Sequence, residues 1–234
     1  MDNTKTALIV GAGSGISAAF ARALRAEGYA VALAARNVDK LAALAQETGA
    51  VALAADAADA DSVAGLFAEV DRRFGRLDVA LYNASYRTRG PFLDLVPAEV
   101  ARSLEVSAFG GFLVAQQAAR RMVAQGEGAI FFTGASASVK GYAQSAPFAM
   151  GKFALRGLAQ SLARELQPRG IHVAHFVIDG GVRNVERGRT EAAGTAPDGF
   201  LDPAAIAATY MATLKQPRSA WSLEVELRPW VERF

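Results

Sequence analysis

The sequence predicts a single doubly wound α/β domain: a parallel sheet with helices on both faces. Three observations predict it. Short, continuously apolar runs recur along the chain, each is followed by a stretch with helical apolar spacing, and the first run is closed by the glycine turn Gly11-Ala12-Gly13-Ser14-Gly15. A strand covered on both faces reads as an unbroken apolar run, and parallel neighbours need a crossover of helical length between them.

In chain order, Thr6 to Val10 is the first strand, and Ile16 to Gly28 a helix with Phe20 and Leu24 on its apolar face, stopped by glycine. Tyr29 to Ala35 is the second strand, and Asn37 caps a helix expected to run through Gln46. Val51 to Ala55 is the third strand, closed by Asp56 and followed by a helix from Ser62 to Phe74. Val79 to Tyr82 is the fourth. After a polar loop over residues 83–96, Pro97 fits the first turn of one long helix to Gln125. Ala129 to Phe132 is an apolar run stopped by Thr133-Gly134, and a small-residue loop leads to a helix from Pro147 to Leu166. Ile171 to Ile178 is the sixth strand. Residues 179–200 are rich in glycine and charge and read as a mobile loop. Asp202-Pro203 caps a helix to Leu214, and Leu223 to Leu227 is the last strand.

Composition sets the outer bounds. The 234 residues are 52% apolar and 21% charged, an ordinary globular balance, and an α/β domain of this length can bury a large core. No linker-like composition shift or short-period repeat divides residues 1–234. A formal net charge of +2 is too small to point to nucleic acid or an anionic membrane. Cysteine is absent and the histidines are His172 and His175, both in the sixth strand, which excludes disulfides, thiolate catalysis and a Cys- or His-rich metal site. Both histidines are expected to serve strand packing. The N-terminus runs into a strand without a signal-peptide layout, and no apolar run approaches bilayer length, so a soluble cytoplasmic protein is expected.

The glycine turn carries chemistry. Gly11 and Gly15, with Gly13, Ser14 and Ile16, sit between strand and helix. There glycines let the backbone approach a pyrophosphate while free N–H groups and the helix dipole favour anions. Arg36 follows the second strand, where an acidic residue would bind the ribose hydroxyls of NAD. Ala35 cannot do so, whereas a guanidinium pairs with the 2′-phosphate of NADP, helped by Asn37. NADP(H) is therefore the preferred coenzyme, with NAD(H) as the alternative.

Val10-Gly11-Ala12-Gly13-Ser14-Gly15-Ile16-Ser17, Asp56, Asn83-Ala84-Ser85 and the run FAMGKFALRGLAQSLARELQPRGIHVAHFV from Phe148 together resemble the short-chain dehydrogenase/reductase family over essentially the whole chain. The resemblance implies one Rossmann-like NAD(P)-binding domain with Asp56 and Ala57 near the adenine, Asn83 and Ala84 beside the cofactor, and Gly180 and Val182 against the nicotinamide. It also implies a substrate lid at 179–200. The apolar helices around Phe109–Val114 and Phe153–Leu162, with WSLEVELRPW at the end of the chain, resemble homodimer or homotetramer surfaces, although buried core would also explain them.

The family's catalytic Asn, Ser, Tyr and Lys fall, without gaps, on Ser107, Ala135, Phe148 and Lys152, so only the lysine is kept. A shifted loop register makes Ser136 or Ser138 the serine, and Tyr142 or a water held by Ser136, Ser138 and Lys152 stands in for the missing phenol as acid. The expected function is an atypical oxidoreductase acting on a small carbonyl, alcohol or activated double bond. The rival is a cofactor-binding sensor or partner subunit without turnover.

Overall fold

The computed structural model describes residues 4–191 and 198–232. Seven strands form one all-parallel sheet in the order β3-β2-β1-β4-β5-β6-β7. They are β1 (Thr6–Val10), β2 (Ala30–Ala35), β3 (Val51–Ala54), β4 (Val79–Tyr82), β5 (Gly128–Thr133), β6 (Ile171–Ile178) and β7 (Glu224–Leu227). The helices are α1 (Ile16–Ala26), α2 (Ala42–Thr48), α3 (Ala60–Phe74), α4 (Pro97–Leu104), α5 (Gly110–Gln125), α6 (Ala146–Leu166) and α7 (Pro203–Leu214). The chain runs outward through β2 and β3, then returns to lay β4 on the other side of β1. That reversal opens a crevice at the carboxyl ends of β1 and β4, where open α/β sheets bind ligands.

Alternation along each strand divides the core in two. From β1, Leu8 and Val10 face a cluster with Phe67 of α3, Val114 of α5 and Leu155 of α6. Ala7 and Ile9 face the opposite cluster, with Phe20 of α1, Leu41 and Tyr210 of α7. All eight residues of β6 are buried, as a strand covered on both faces requires. The caps are local and readable: Asp59 accepts the Ser62 N–H at the start of α3 (2.6 Å), and Asp202 accepts that of Ala204 in α7 (2.9 Å), ahead of a proline-led first turn.

Two helical expectations need correction. The long helix from Pro97 to Gln125 is divided by a π turn at Glu105–Phe109. The buried Tyr82 hydroxyl donates to the Val106 carbonyl, taking an acceptor that a regular helical turn would use. Gly110 follows because an added Cβ would meet the Tyr82 hydroxyl and the Ala57 carbonyl. The helix expected from Asn37 begins instead as a 3-10 turn at Asp39–Leu41, with Asn37 Oδ1 accepting the Asp39 N–H (3.0 Å), and α2 then runs on to Thr48. Among the described residues no helix is long and apolar enough to cross a membrane, and no group of three or more His, Asp or Glu could hold a metal ion.

Asp78 ties the amino ends of β1 and β4 together. Buried, it accepts from the Thr6 N–H (2.7 Å) and from Arg76 Nε (2.9 Å). Asp78→Ala strands the Thr6 donor in a dry setting, so urea titration should show a loss on the order of 1–3 kcal/mol with an unchanged m-value. An unchanged midpoint would mean that water replaces the carboxylate at no cost.

Candidate cofactor and substrate site

The turn leaving β1 is a backbone cradle. Gly11 has φ +81°, and an added Cβ would come well inside 3.0 Å of the Ala84 backbone, so only glycine fits. Its N–H and that of Ala12 both donate to the Ala34 carbonyl (3.0 Å each), folding the turn back over β2. Asn83 Nδ2 donates to the Gly11 carbonyl (3.1 Å) and to Ser17 Oγ (2.8 Å), and Ser17 Oγ donates to the same carbonyl (3.2 Å). The Asn83 side chain thus braces the turn.

Beyond Gly11 the cradle is open. A Cβ at Gly13 would meet nothing within 4 Å, and one at Gly15 would meet only Asn184 Nδ2, at 3.5 Å. Gly15 opens α1 and has no side chain with which to cap it. The backbone donors at the start of this helix have no side-chain cap, an arrangement that suits an anion. Asn184, on the loop after β6, donates to Ser14 Oγ (3.1 Å) and crosses over the turn. Sequence reading missed Asn184, because a partner 170 positions away leaves no local signal.

The remaining cofactor candidates lie along the same edge. Arg36 and Asn37 are exposed after β2, Asp56 and the buried Ala57 follow β3, and Asn83 and Ala84 follow β4. Asp56 Oδ1 accepts the Ala58 N–H (3.0 Å), while its own N–H donates to Ser62 Oγ (2.9 Å), so this carboxylate is set by a local turn. Gly180 (φ +148°) and Val182 lie beyond β6, with Val182 bridged to Leu201. Residues 192–197 of the segment expected as a lid lie outside the described residues; Arg183 ties its first part internally through Glu191 (2.6 Å).

Over β5 stands the amine. Lys152 is 2% exposed, and its Nζ donates to the Thr133 carbonyl at the end of β5 (2.8 Å). Burial pushes its pKa down to about 8. Phe148, one turn earlier on α6, places its ring centroid 5.8 Å from that nitrogen. His175 is fully buried, and neither of its ring nitrogens has a partner. Its pKa is pushed down to about 4, first by burial and then by the charge of Lys152. Its ring leaves no room for a side chain at Gly134. His172 stacks on Trp221 (4.7 Å) and bonds the Ser222 carbonyl through Nε2 (2.9 Å). Both histidines serve packing around β6.

A cavity of about 410 Å³ opens beside Phe148, lined by Ser136, Tyr142, Gly180 and two arginines, Arg87 and Arg89. Ser136 and Tyr142 are thereby brought together. Ser138 is not among the lining residues: it is fully buried in the 3-10 turn Ser136–Ser138, and its Oγ accepts the Ala135 N–H (3.1 Å). Ser107 lies in the π turn with its hydroxyl on the Tyr86 backbone, and Ser103 Oγ donates to the carbonyls of Tyr86 (3.1 Å) and Pro147 (3.2 Å). These two serines fix the start of α6 against the loop after β4. A second depression, of about 490 Å³ between Gln167, Arg218 and Trp221, lies at the opposite end of the sheet, where β6 begins.

Comparison with known protein families matches residues 5–187 to the short chain dehydrogenase family. The chain belongs to that family. Sorbitol-6-phosphate 2-dehydrogenase of Escherichia coli (strain K12) is 33% identical over 182 residues, covering 74% of this chain and 70% of the relative. Among solved structures, a short-chain dehydrogenase from Rhodopseudomonas palustris superposes with a TM-score of 0.82 at 36% identity, covering 97% of this chain and 99% of the other. An alcohol dehydrogenase from the archaeon Thermococcus sibiricus, complexed with 5-hydroxy-NADP, gives 0.86 at 28% identity, with 99% of each chain covered.

In this short-chain dehydrogenase the buried amine has a measurable signature. The folded pKa of Lys152, about 8, lies below the ordinary 10.5, so between those values the unfolded chain binds the extra proton. Stability therefore rises with pH through that window. Relative to Lys152→Met, the wild type should gain on the order of 2–3 kcal/mol between about pH 8 and pH 10 in denaturant titrations. A pH-independent difference would mean that the amine stays hydrated.

Proposed function

We propose that the chain is an NADP(H)-dependent oxidoreductase that moves hydride to or from a small carbonyl, alcohol or activated double bond without a phenol at position 148. The observation that carries the reading is Lys152, an amine held dry by one carbonyl on the same sheet edge as the open glycine cradle. The coenzyme, when bound, supplies or accepts the hydride. The Gly11–Gly15 turn and the start of α1 hold its pyrophosphate, Arg36 its 2′-phosphate, Asp56 and Ala57 its adenine side, and Lys152 its nicotinamide ribose. Gly180 and Val182 back the nicotinamide.

Phe148 occupies the position of the family's tyrosine, and a phenyl ring donates no proton. Of the hydroxyls on the cavity wall, which also include Ser145, we assign that task to Ser136 and Tyr142, directly or through water. Ser138 serves less well because it is fully buried and does not line the cavity. Reduction of a polarised C=C or an imine suits this wall better than ketone reduction, since it relies less on a phenol. A second reading, a cofactor-binding sensor or partner subunit without turnover, is favoured by one fact: the hydrogen bond of Lys152 goes to a carbonyl, not to an acid it could activate. Self-association into a dimer or tetramer is supported by Phe109, Phe112, Met150 and Phe153, each between 40% and 50% exposed on α5, α6 and the π turn.

NADPH fluorescence titration followed by NADPH oxidation against ketone, enone and imine panels separates the two readings. Binding with turnover of an enone or imine is expected, and binding with no turnover of any compound establishes the sensor. Phe148→Tyr should raise ketone reduction by about 10²–10⁴-fold, the usual weight of a positioned general acid. No gain while NADPH still binds would place the missing chemistry elsewhere on the wall. Phe109→Glu should lower the mass seen by light scattering; an unchanged mass would put any interface on another face.

A further inference from the structure

The loop after β4 reaches over the cavity and is pinned there, Gly90 N–H donating to the Gln144 carbonyl (3.2 Å). Gln144 is held at φ +59°, a left-handed conformation that a non-glycine residue adopts only where its surroundings impose it. The pinning sets Arg87 and Arg89 into the cavity wall beside Phe148, with the Arg87 guanidinium 4.8 Å from the centre of the Phe148 ring.

Neither arginine pairs with a carboxylate among the described residues. Of the acids on the same wall, Asp179 is already bound by Arg228 (3.1 Å) and Lys140 (3.4 Å), which leaves Glu232 alone against two guanidiniums. Arg87 is pushed below the ordinary arginine range, first by loss of solvent and then by the charges of Arg89 and Arg189. Like charges gathered in a concave wall concentrate a positive field, and a planar guanidinium fork meets a carboxylate or phosphate with two parallel hydrogen bonds. Arg36, after β2, is not among the residues that line this cavity.

We propose that the cavity is built for a substrate bearing an anionic oxygen group, a carboxylate or a phosphate, gripped by Arg87 and Arg89 beside Phe148. This deepens the oxidoreductase reading and rests on it for the word substrate; the anion site itself stands on the cavity.

The test titrates glutarate, inorganic phosphate and the neutral glutaramide into the protein by calorimetry, with and without saturating NADPH, for the wild type and for the double variant Arg87→Met, Arg89→Met. At least one anion should bind the wild type more tightly than glutaramide does, and the double variant should lose that affinity by about 10- to 100-fold while keeping its melting temperature and its NADPH affinity. Preference for glutarate identifies a carboxylate substrate, and preference for phosphate a phosphorylated one. Equal binding of glutarate and glutaramide with no phosphate binding, or anion affinity unchanged in the double variant, overturns the proposal. If NADPH does not bind, the redox reading falls separately, and the charge selectivity of the cavity is still read from the coenzyme-free titration.

Discussion

The close approach of the β1 turn to the end of β4 is the constraint on which the rest depends. Gly11 lies so near Ala84 that no side chain fits between them, and Asn83 and Ser17 hold the Gly11 carbonyl from either side. The contact exists because β4 returns beside β1 after β2 and β3 have been laid down. The same reversal opens the crevice and closes the backbone over it. Every candidate for holding a dinucleotide except Lys152, which α6 carries, leaves a strand at this edge, so the site is a property of the topology before it is one of any side chain.

A second set of close contacts places the amine. Gly151 faces Ser107, where an added Cβ would press on the serine's own Cβ, so α6 can lie tightly on the π turn. Ser103 and Ser107 then tie that turn and the start of α6 to the backbone of Tyr86. The result carries Lys152 over the end of β5, where one carbonyl replaces the water it gives up. A cation buried with a single neutral partner strongly favours losing its proton, and the neutral His175 behind it adds no counter-charge. Such an arrangement is costly for a structural lysine. Under the proposed function it suits a lysine whose charge is needed only when an anionic coenzyme lies nearby.

How much of this was legible follows from where the information sits. β4, β6 and α7 were readable nearly to the residue, because buried runs and an Asp-Pro start encode themselves locally. The glycine turn was readable because Gly11 answers a backbone demand. The π turn was not, since it depends on a tyrosine hydroxyl arriving from β4, some twenty-four positions earlier in the chain. Ser136 and Ser138 could not be told apart from spacing, for it takes the 3-10 turn to send one hydroxyl to the cavity wall and the other onto a backbone N–H. Arg87 and Arg89 read as polar loop residues, because their position is set by a hydrogen bond to Gln144 on another loop.

Phe148 shows how little the architecture depends on the chemistry of its site. The ring packs with Ala137 and Ala149, and its face is covered by the Arg87 guanidinium. None of these contacts would use a hydroxyl. A phenyl ring and a phenol differ by one oxygen atom, and the helix that carries the ring, the serines that anchor it and the glycine beneath it are indifferent to the exchange. The fold is therefore retained whether or not a general acid stands at that point, and close structural likeness to dehydrogenases speaks to cofactor and topology far more than to reaction. What the cavity does chemically must be read from the groups that remain on its wall: the hydroxyls of Ser136, Tyr142 and Ser145, the carboxylates of Asp179 and Glu232, and a pair of guanidiniums. A guanidinium keeps its proton at any pH the protein would survive. Under the proposed reading, proton delivery is therefore left to the other groups of the wall and to water, and the arginines to binding and orienting negative charge.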